Sequence, residues 1–172
     1  MKAQGFSLVE MMIAMAVLVI GILGSMGIIF VATASNGRSK LNTTAATLAE
    51  STVERIVTLP QSATGAGATT SITDCTGTIF GVDTNLGGSP MVASGAFASI
   101  DFNQPAVPNY SMVYKVCPAA SGVSYDVRWR IDPGPTPATQ VVTVSAKPLA
   151  GGASPAAVFS RPVTLHVYRG NL

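Results

Sequence analysis

The chain has 172 residues, 10% of them charged and 48% hydrophobic, with a formal net charge of +2. That length allows one modest domain beside a long helix, and the nearly balanced charge gives no basic face of the kind nucleic acid demands, so nucleic-acid binding is disfavoured. With His166 the only histidine and two cysteines far apart, no zinc site of ordinary Cys/His spacing is present and no metal or cofactor is expected.

The chain opens with Lys2 and the initiating amine as its only early charges, then Gly5-Phe6-Ser7-Leu8-Val9-Glu10, then an unbroken apolar run from Met11 to Ala32. A secretory signal has its small-residue cleavage site after the apolar core. Here the Gly-Phe junction precedes the run, and no Ala-x-Ala pattern follows it, so the run should stay on the mature protein. Ser25 is its only polar side chain, and at ~1.5 Å per residue it extends about 33 Å, enough to span a bilayer as one helix. Gly21, Gly24, Ser25 and Gly27 supply small surfaces at which helices can approach closely in lipid, Gly21 and Ser25 on one face. Glu10 is costly in lipid, and the helix dipole favours an acid in the first turn.

The run is followed by Ser35-Asn36-Gly37, yet Leu41, Ala45, Leu48, Thr52, Ile56 and Leu59 recur at spacings of three and four, so an amphipathic helix should continue until Pro60 ends it. Arg38 and Lys40 flank the span on its outer side, against the positive-inside expectation. Glu50, Glu54 and Arg55 read as a solvated helix face. Residues 61–71 read as a loop, and the short apolar pieces between Ile72 and Asn109 give no clear architecture. Strand patterns then follow at Tyr110 to Cys117, Val123 to Ile131, Gln140 to Lys147 and Val163 to Arg169, with turn signals at Pro118 to Gly122, Asp132 to Pro137 and Pro148 to Pro155. In the second of these, Val123, Tyr125, Val127, Trp129 and Ile131 alternate with Ser124, Asp126, Arg128 and Arg130, placing the latter set on a solvated face. Four consecutive strands imply an antiparallel meander covered by the amphipathic half of the helix, an α+β fold.

Cys75 and Cys117 both lie beyond the span, where the membrane topology puts them in an oxidising compartment with one pairing available, the alternative being two buried thiols. A bridge closing about 43 residues would stabilise the fold by ~4 kcal/mol in the chain-entropy model.

The leader residues Lys2 and Gly5 to Glu10, with the apolar run behind them, resemble a type IV prepilin, the precursor class of type IV pili, type II secretion pseudopili and competence pili. The resemblance implies a prepilin peptidase that cuts between Gly5 and Phe6 and N-methylates Phe6. It also implies that Glu10 neutralises the Phe6 amine of a neighbouring subunit, and that a subunit with this acid does not sit at the extreme tip. Leu48-Ala49-Glu50-Ser51 with Glu54-Arg55-Ile56 is more loosely similar to PilV-like minor pilins. The implied organisation is a leader at 1–5, a transmembrane assembly helix at 6–34, its amphipathic continuation at 35–60 and a β-sheet head at 61–172. The implied partners are the peptidase, other pilin subunits through their N-terminal helices and an inner-membrane assembly platform. The implied location is the bacterial inner membrane, head in the periplasm, and then the filament.

No catalytic constellation is present: there is no nucleophile elbow or phosphate loop, and Asp74, Asp83, Asp101, Asp126 and Asp132 lack calcium-loop spacing. The expected function is therefore structural, a minor subunit of a type IV pilus. A minor pseudopilin, a major pilin and a filament-displayed adhesin or DNA-binding module are the alternatives.

Overall fold

The computed structural model describes residues 7–59, 69–94, 97–117, 123–136, 139–149 and 161–170. The leader, the loop at 60–68 and most of the turn segments at 118–122 and 150–160 lie outside these residues. One helix, α1 (Leu8–Thr58), is followed by nine strands: β1 (Thr69–Thr73), β2 (Ile79–Asp83), β3 (Gly87–Gly88), β4 (Met91–Ser94), β5 (Phe97–Ile100), β6 (Ser111–Lys115), β7 (Ser124–Pro133), β8 (Thr139–Leu149) and β9 (Val163–Gly170). The chain forms two compact units, Met1–Gly37 and Arg38–Leu172.

In the first unit α1 is long and apolar enough to cross a membrane, and none of its most apolar window is buried. Ile28 and Phe30 are 73% and 76% exposed. Each such side chain in water forgoes roughly 1.5–3 kcal/mol of burial, so water is not the solvent this segment is built for.

In the second unit the helix packs on a five-stranded antiparallel sheet in which β6, β7, β8 and β9 form the expected meander, while β3 pairs with β7 beyond the end of β6. The register aligns the apolar residues in rows across three strands: Val127, Ala146 and Val163; Trp129, Val144 and Leu165; Ile131, Val142 and Val167. Against them lie Ala45, Ala49, Val53 and Ile56 of α1, in one core cluster. Ala45 and Ala49 are fully buried, so the helix backbone comes close to the sheet at those turns. Tyr125 donates from its hydroxyl to the Leu41 carbonyl (3.4 Å).

The next row of the sheet pairs Gln140 with Arg169. Arg169 shares the apolar face of β9 yet is only 3% exposed. Its Nη1 donates to the Ile56 carbonyl (2.8 Å) in the last turns of α1, and Nη2 donates to Gln140 Oε1 (2.9 Å). Burial pushes the guanidinium below its ordinary value of 12.5. The partial negative charge at a helix C-terminus is a favourable neighbour for it, and carbonyls near the helix end need donors. The last strand is thereby fastened to the last turns of the helix.

Two features depart from the sequence reading. First, the stretch between Ile72 and Asn109 is well ordered in two ribbons, β1–β2 and β4–β5, plus the short β3. Trp129 Nε1 donates to the Asp83 carbonyl (2.9 Å), and Ser89 Oγ donates to the Tyr110 carbonyl (3.0 Å), tying these pieces to the sheet. Gly88 has φ +118°, and a Cβ there would come within 2.6 Å of the Tyr110 ring and 2.7 Å of the Trp129 carbonyl. The chain can pass Trp129 only as glycine.

Second, Asp126 and Arg128 are not solvated: they are 9% and 7% exposed. Arg128 donates to both carboxylate oxygens of Asp126 (2.8–3.0 Å) and through Nη1 to the carbonyl of Gln104 (2.7 Å). Its guanidinium lies 5.0 Å from the centre of the Phe102 ring, with Lys147 Nζ 5.6 Å from the same ring. The segment after β5 therefore covers part of the sheet's second face, and the ion pair is paired and hydrogen-bonded as burial requires.

Arg169→Met should lower stability by about 1–3 kcal/mol, because the Ile56 carbonyl and Gln140 Oε1 lose their donor while buried. Arg169→Met combined with Gln140→Leu should recover part of that loss, since the second change removes one orphaned acceptor. Urea melts of the three proteins check this; a double variant less stable than the single would contradict it.

Candidate assembly site

Glu10 stands in the first turn of α1, exposed, in the first compact unit. The turn is already closed there, with the Met11 N–H donating to the Ser7 carbonyl (3.2 Å). A carboxylate at this end of a helix is favoured by the helix dipole. Among the described residues no ion pair reaches Glu10. Gly5 and Phe6 lie outside the described residues, so the structure gives no geometry for the junction itself.

Beyond Glu10 the helix offers lipid or a neighbouring helix almost nothing polar. Ser25 donates its hydroxyl to the Gly21 carbonyl (2.8 Å), and Thr33 donates to that of Ile29 (2.8 Å). These back-bonds satisfy the hydroxyls within the helix itself. The face expected at Gly21 and Ser25 is closed by that hydrogen bond. A shallow groove runs instead along Gly24, Gly27, Ile28, Val31, Ala32 and Ser35. It is lined by small and aliphatic groups, the kind of surface on which membrane helices approach closely.

In the second unit Cys75 and Cys117 are joined, with their Cα atoms 5.8 Å apart and 42 positions separated in sequence. The bridge ties the β1–β2 turn to the residue just beyond β6. Asp74 shapes that turn: its Oδ1 accepts from Thr76 N (2.9 Å), Thr76 Oγ1 (2.7 Å) and Thr78 N (2.9 Å). Burial by itself pushes the Asp74 carboxyl up. The Thr76 hydroxyl and the backbone N–H groups of Thr78, Thr76 and Lys115 outweigh it and hold the carboxyl below its ordinary value of 3.8. The Asp-x-Thr-x-Thr spacing of residues 74–78 is a sequence signal for such a side-chain-capped turn that composition alone does not reveal. Arg169 had a signal as well, a cation on the apolar side of the Val163, Leu165, Val167 alternation.

His166 lies on β9 with Nδ1 3.0 Å from the Thr143 hydroxyl. Among the described residues no group of three or more His, Cys, Asp or Glu side chains is placed to hold a metal ion.

Because the folded-state value of Asp74 is lowered, its contribution to stability is present above 3.8 and is lost as the pH falls through the lower folded value. Asp74→Asn, with the disulfide intact, should melt below wild type at pH 5–7 and converge with it under more acid conditions. Thermal melts across that range check this; a constant difference would contradict it.

The prokaryotic N-terminal methylation motif matches residues 1–26. No curated protein and no solved structure is matched by the chain. The motif covers the junction, Glu10 and the first half of the apolar run, the same segment that the structure presents as an exposed apolar helix, and behind it stands a long helix on antiparallel sheet. The chain is a type IV prepilin-like protein.

Proposed function

We propose that the chain is a structural subunit of a type IV pilus, and within it a minor subunit that primes assembly and is held below the tip. The observation that carries this reading is a helix half with its apolar surface fully exposed, set directly behind a methylation motif. An apolar surface of that extent must be covered by lipid before assembly and by other helices after it. The motif implies processing by a prepilin peptidase and assembly in a membrane system.

On this reading the peptidase cuts between Gly5 and Phe6 on the cytoplasmic side and methylates the new Phe6 amine. The helix from residue 6 anchors the chain in the inner membrane, and the sheet domain faces the periplasm, where the Cys75–Cys117 bridge is kept oxidised. When the subunit leaves the membrane, the Glu10 carboxylate compensates the Phe6 amine of its neighbour inside the filament core. Both charges lie in an apolar surrounding, where an unpaired one is expensive and a paired one much less so. The acid thus favours a subunit seated against another over one alone in lipid. A structural role calls for no catalytic group, and the chain is not proposed to be an enzyme.

Mass spectrometry of the protein from membranes and sheared filaments should find Phe6 as the first residue, carrying one methyl group. A chain starting at Met1, or cut after Ala32, would contradict the reading. Glu10→Gln should keep cleavage and membrane level at wild type, since loss of the acid eases insertion, while incorporation into filaments falls by about tenfold or more. Wild-type incorporation on immunoblots of the two fractions would return Glu10 to the role of a helix-start acid.

A further inference from the structure

The outer face of α1 beyond residue 38 carries a charge pattern that the head domain itself does not use. At 100° per residue, Lys40, Thr43, Thr47, Glu50, Ser51 and Glu54 fall within a sector of about 100°, opposite the buried Ala45, Ala49 and Ile56. All six are exposed. Among the described residues no ion pair reaches Lys40, Glu50 or Glu54. Glu50 and Glu54 stand four residues apart, a like-charge spacing that disfavours the helix, and neither has a Lys or Arg three or four positions away to relieve it. Arg55 is next to Glu54 in sequence but points about 100° away from it. Between the cation and the two acids, the hydroxyls of Thr43, Thr47 and Ser51 donate to the carbonyls of Ser39 (2.9 Å), Thr43 (3.0 Å) and Leu48 (3.0 Å). That middle stretch is small and makes no outward demand for hydrogen bonds, so another helix can lie close to it.

We propose that this face docks the same face of a second copy of the chain, parallel to the first and shifted along the helix axis so that Lys40 of one copy meets Glu50 and Glu54 of the other. The inference rests on the filament-subunit reading. The two helices run parallel because each copy leaves the membrane through its own apolar N-terminal half. Without a shift, Lys40 faces Lys40 and the acids face acids, a repulsive arrangement. A shift of about 10 to 14 residues, ~15–21 Å at 1.5 Å per residue, brings opposite charges together instead. Such a contact joins different parts of the same face, so it is heterologous and repeats without closing, which is the geometry of a filament. Copies lying side by side in the membrane cannot adopt the shift; copies being drawn out of it can.

A zero-length carbodiimide tests this directly, since it condenses the Lys40 amine with a glutamate carboxylate into an amide, the lost oxygen leaving on the reagent's urea. Lys40 and Glu50 of one chain are about 15 Å apart along a rigid helix, so an amide between them joins two chains. Peptide mapping of sheared filaments should find Lys40 linked to Glu50 or Glu54, and the membrane fraction of cells lacking the assembly motor should not contain the link. Lys40→Glu should lower incorporation about fivefold or more at unchanged membrane level. Lys40→Glu with Glu50→Lys and Glu54→Lys should restore most of it. If the wild-type chain is in filaments, yet the link is absent and Lys40→Glu incorporates normally, the contact is overturned and the filament reading stands. A link from Glu50 or Glu54 to a lysine of a different protein overturns the second copy as occupant. Absence of the wild-type chain from filaments overturns the filament reading, and the contact with it.

Discussion

Everything beyond residue 38 depends on closing one narrow stripe of α1 against the sheet. Ala45, Ala49, Thr52, Val53 and Ile56 are the buried residues of the whole helix, and they meet the rows centred on Val127, Trp129 and Ile131. Fully burying Val53 or Ile56 is worth roughly 1.5–3 kcal/mol each, while the two alanines matter by what they lack, since a larger side chain would hold the helix off. The sheet has no other apolar cover on that face among the described residues. Polar groups mark both ends of the stripe: Tyr125 reaches the Leu41 carbonyl near its start, and Arg169 reaches the Ile56 carbonyl near its end. These directional contacts fix the axial position of the helix, which apolar contact alone would leave free to slide.

The same helix serves a second requirement in its first half. There the large apolar residues are exposed, the hydroxyls of Ser25 and Thr33 are turned back onto the helix, and the acid is confined to the first turn. A continuous helix thus joins a segment made for lipid and for other helices to a segment that holds a folded head. For a prepilin-like protein this separation is useful, because the anchoring half can exchange lipid for neighbouring subunits without asking the head to refold.

Much of this was legible in the sequence because the signals were periodic. The 22-residue apolar run, the three-and-four spacing from Leu41 to Leu59 and the alternation around Trp129 each report one exposed or buried face. Pro60 ended the helix as expected, with α1 stopping at Thr58. The middle of the chain was opaque because its order comes from long-range bonds rather than pattern: Trp129 to Asp83, Ser89 to Tyr110, and a glycine pair placed by contact with a tryptophan carbonyl. Arg128 misled for the same reason. Its strand position predicts solvent, and only the arrival of Phe102 and the Gln104 carbonyl makes it buried. In the candidate site the motif residues Gly5, Phe6 and Glu10 could be named from sequence because a peptidase and a neighbouring subunit read them locally; the Asp74 turn could not, because its four donors come from three different residues, one of them on β6.

The most direct test of the central claim compares two fragments secreted into an oxidising compartment, residues 35–172 and residues 61–172. The first retains the stripe of α1 and should be a soluble monomer that unfolds in one cooperative transition with Cys75 and Cys117 resistant to alkylation. The second lacks the cover for the Val127, Trp129 and Ile131 rows and should be insoluble or melt without cooperativity. If residues 61–172 unfold as cooperatively and at the same temperature as residues 35–172, the helix stripe is not what the sheet depends on, and the account of this fold is wrong.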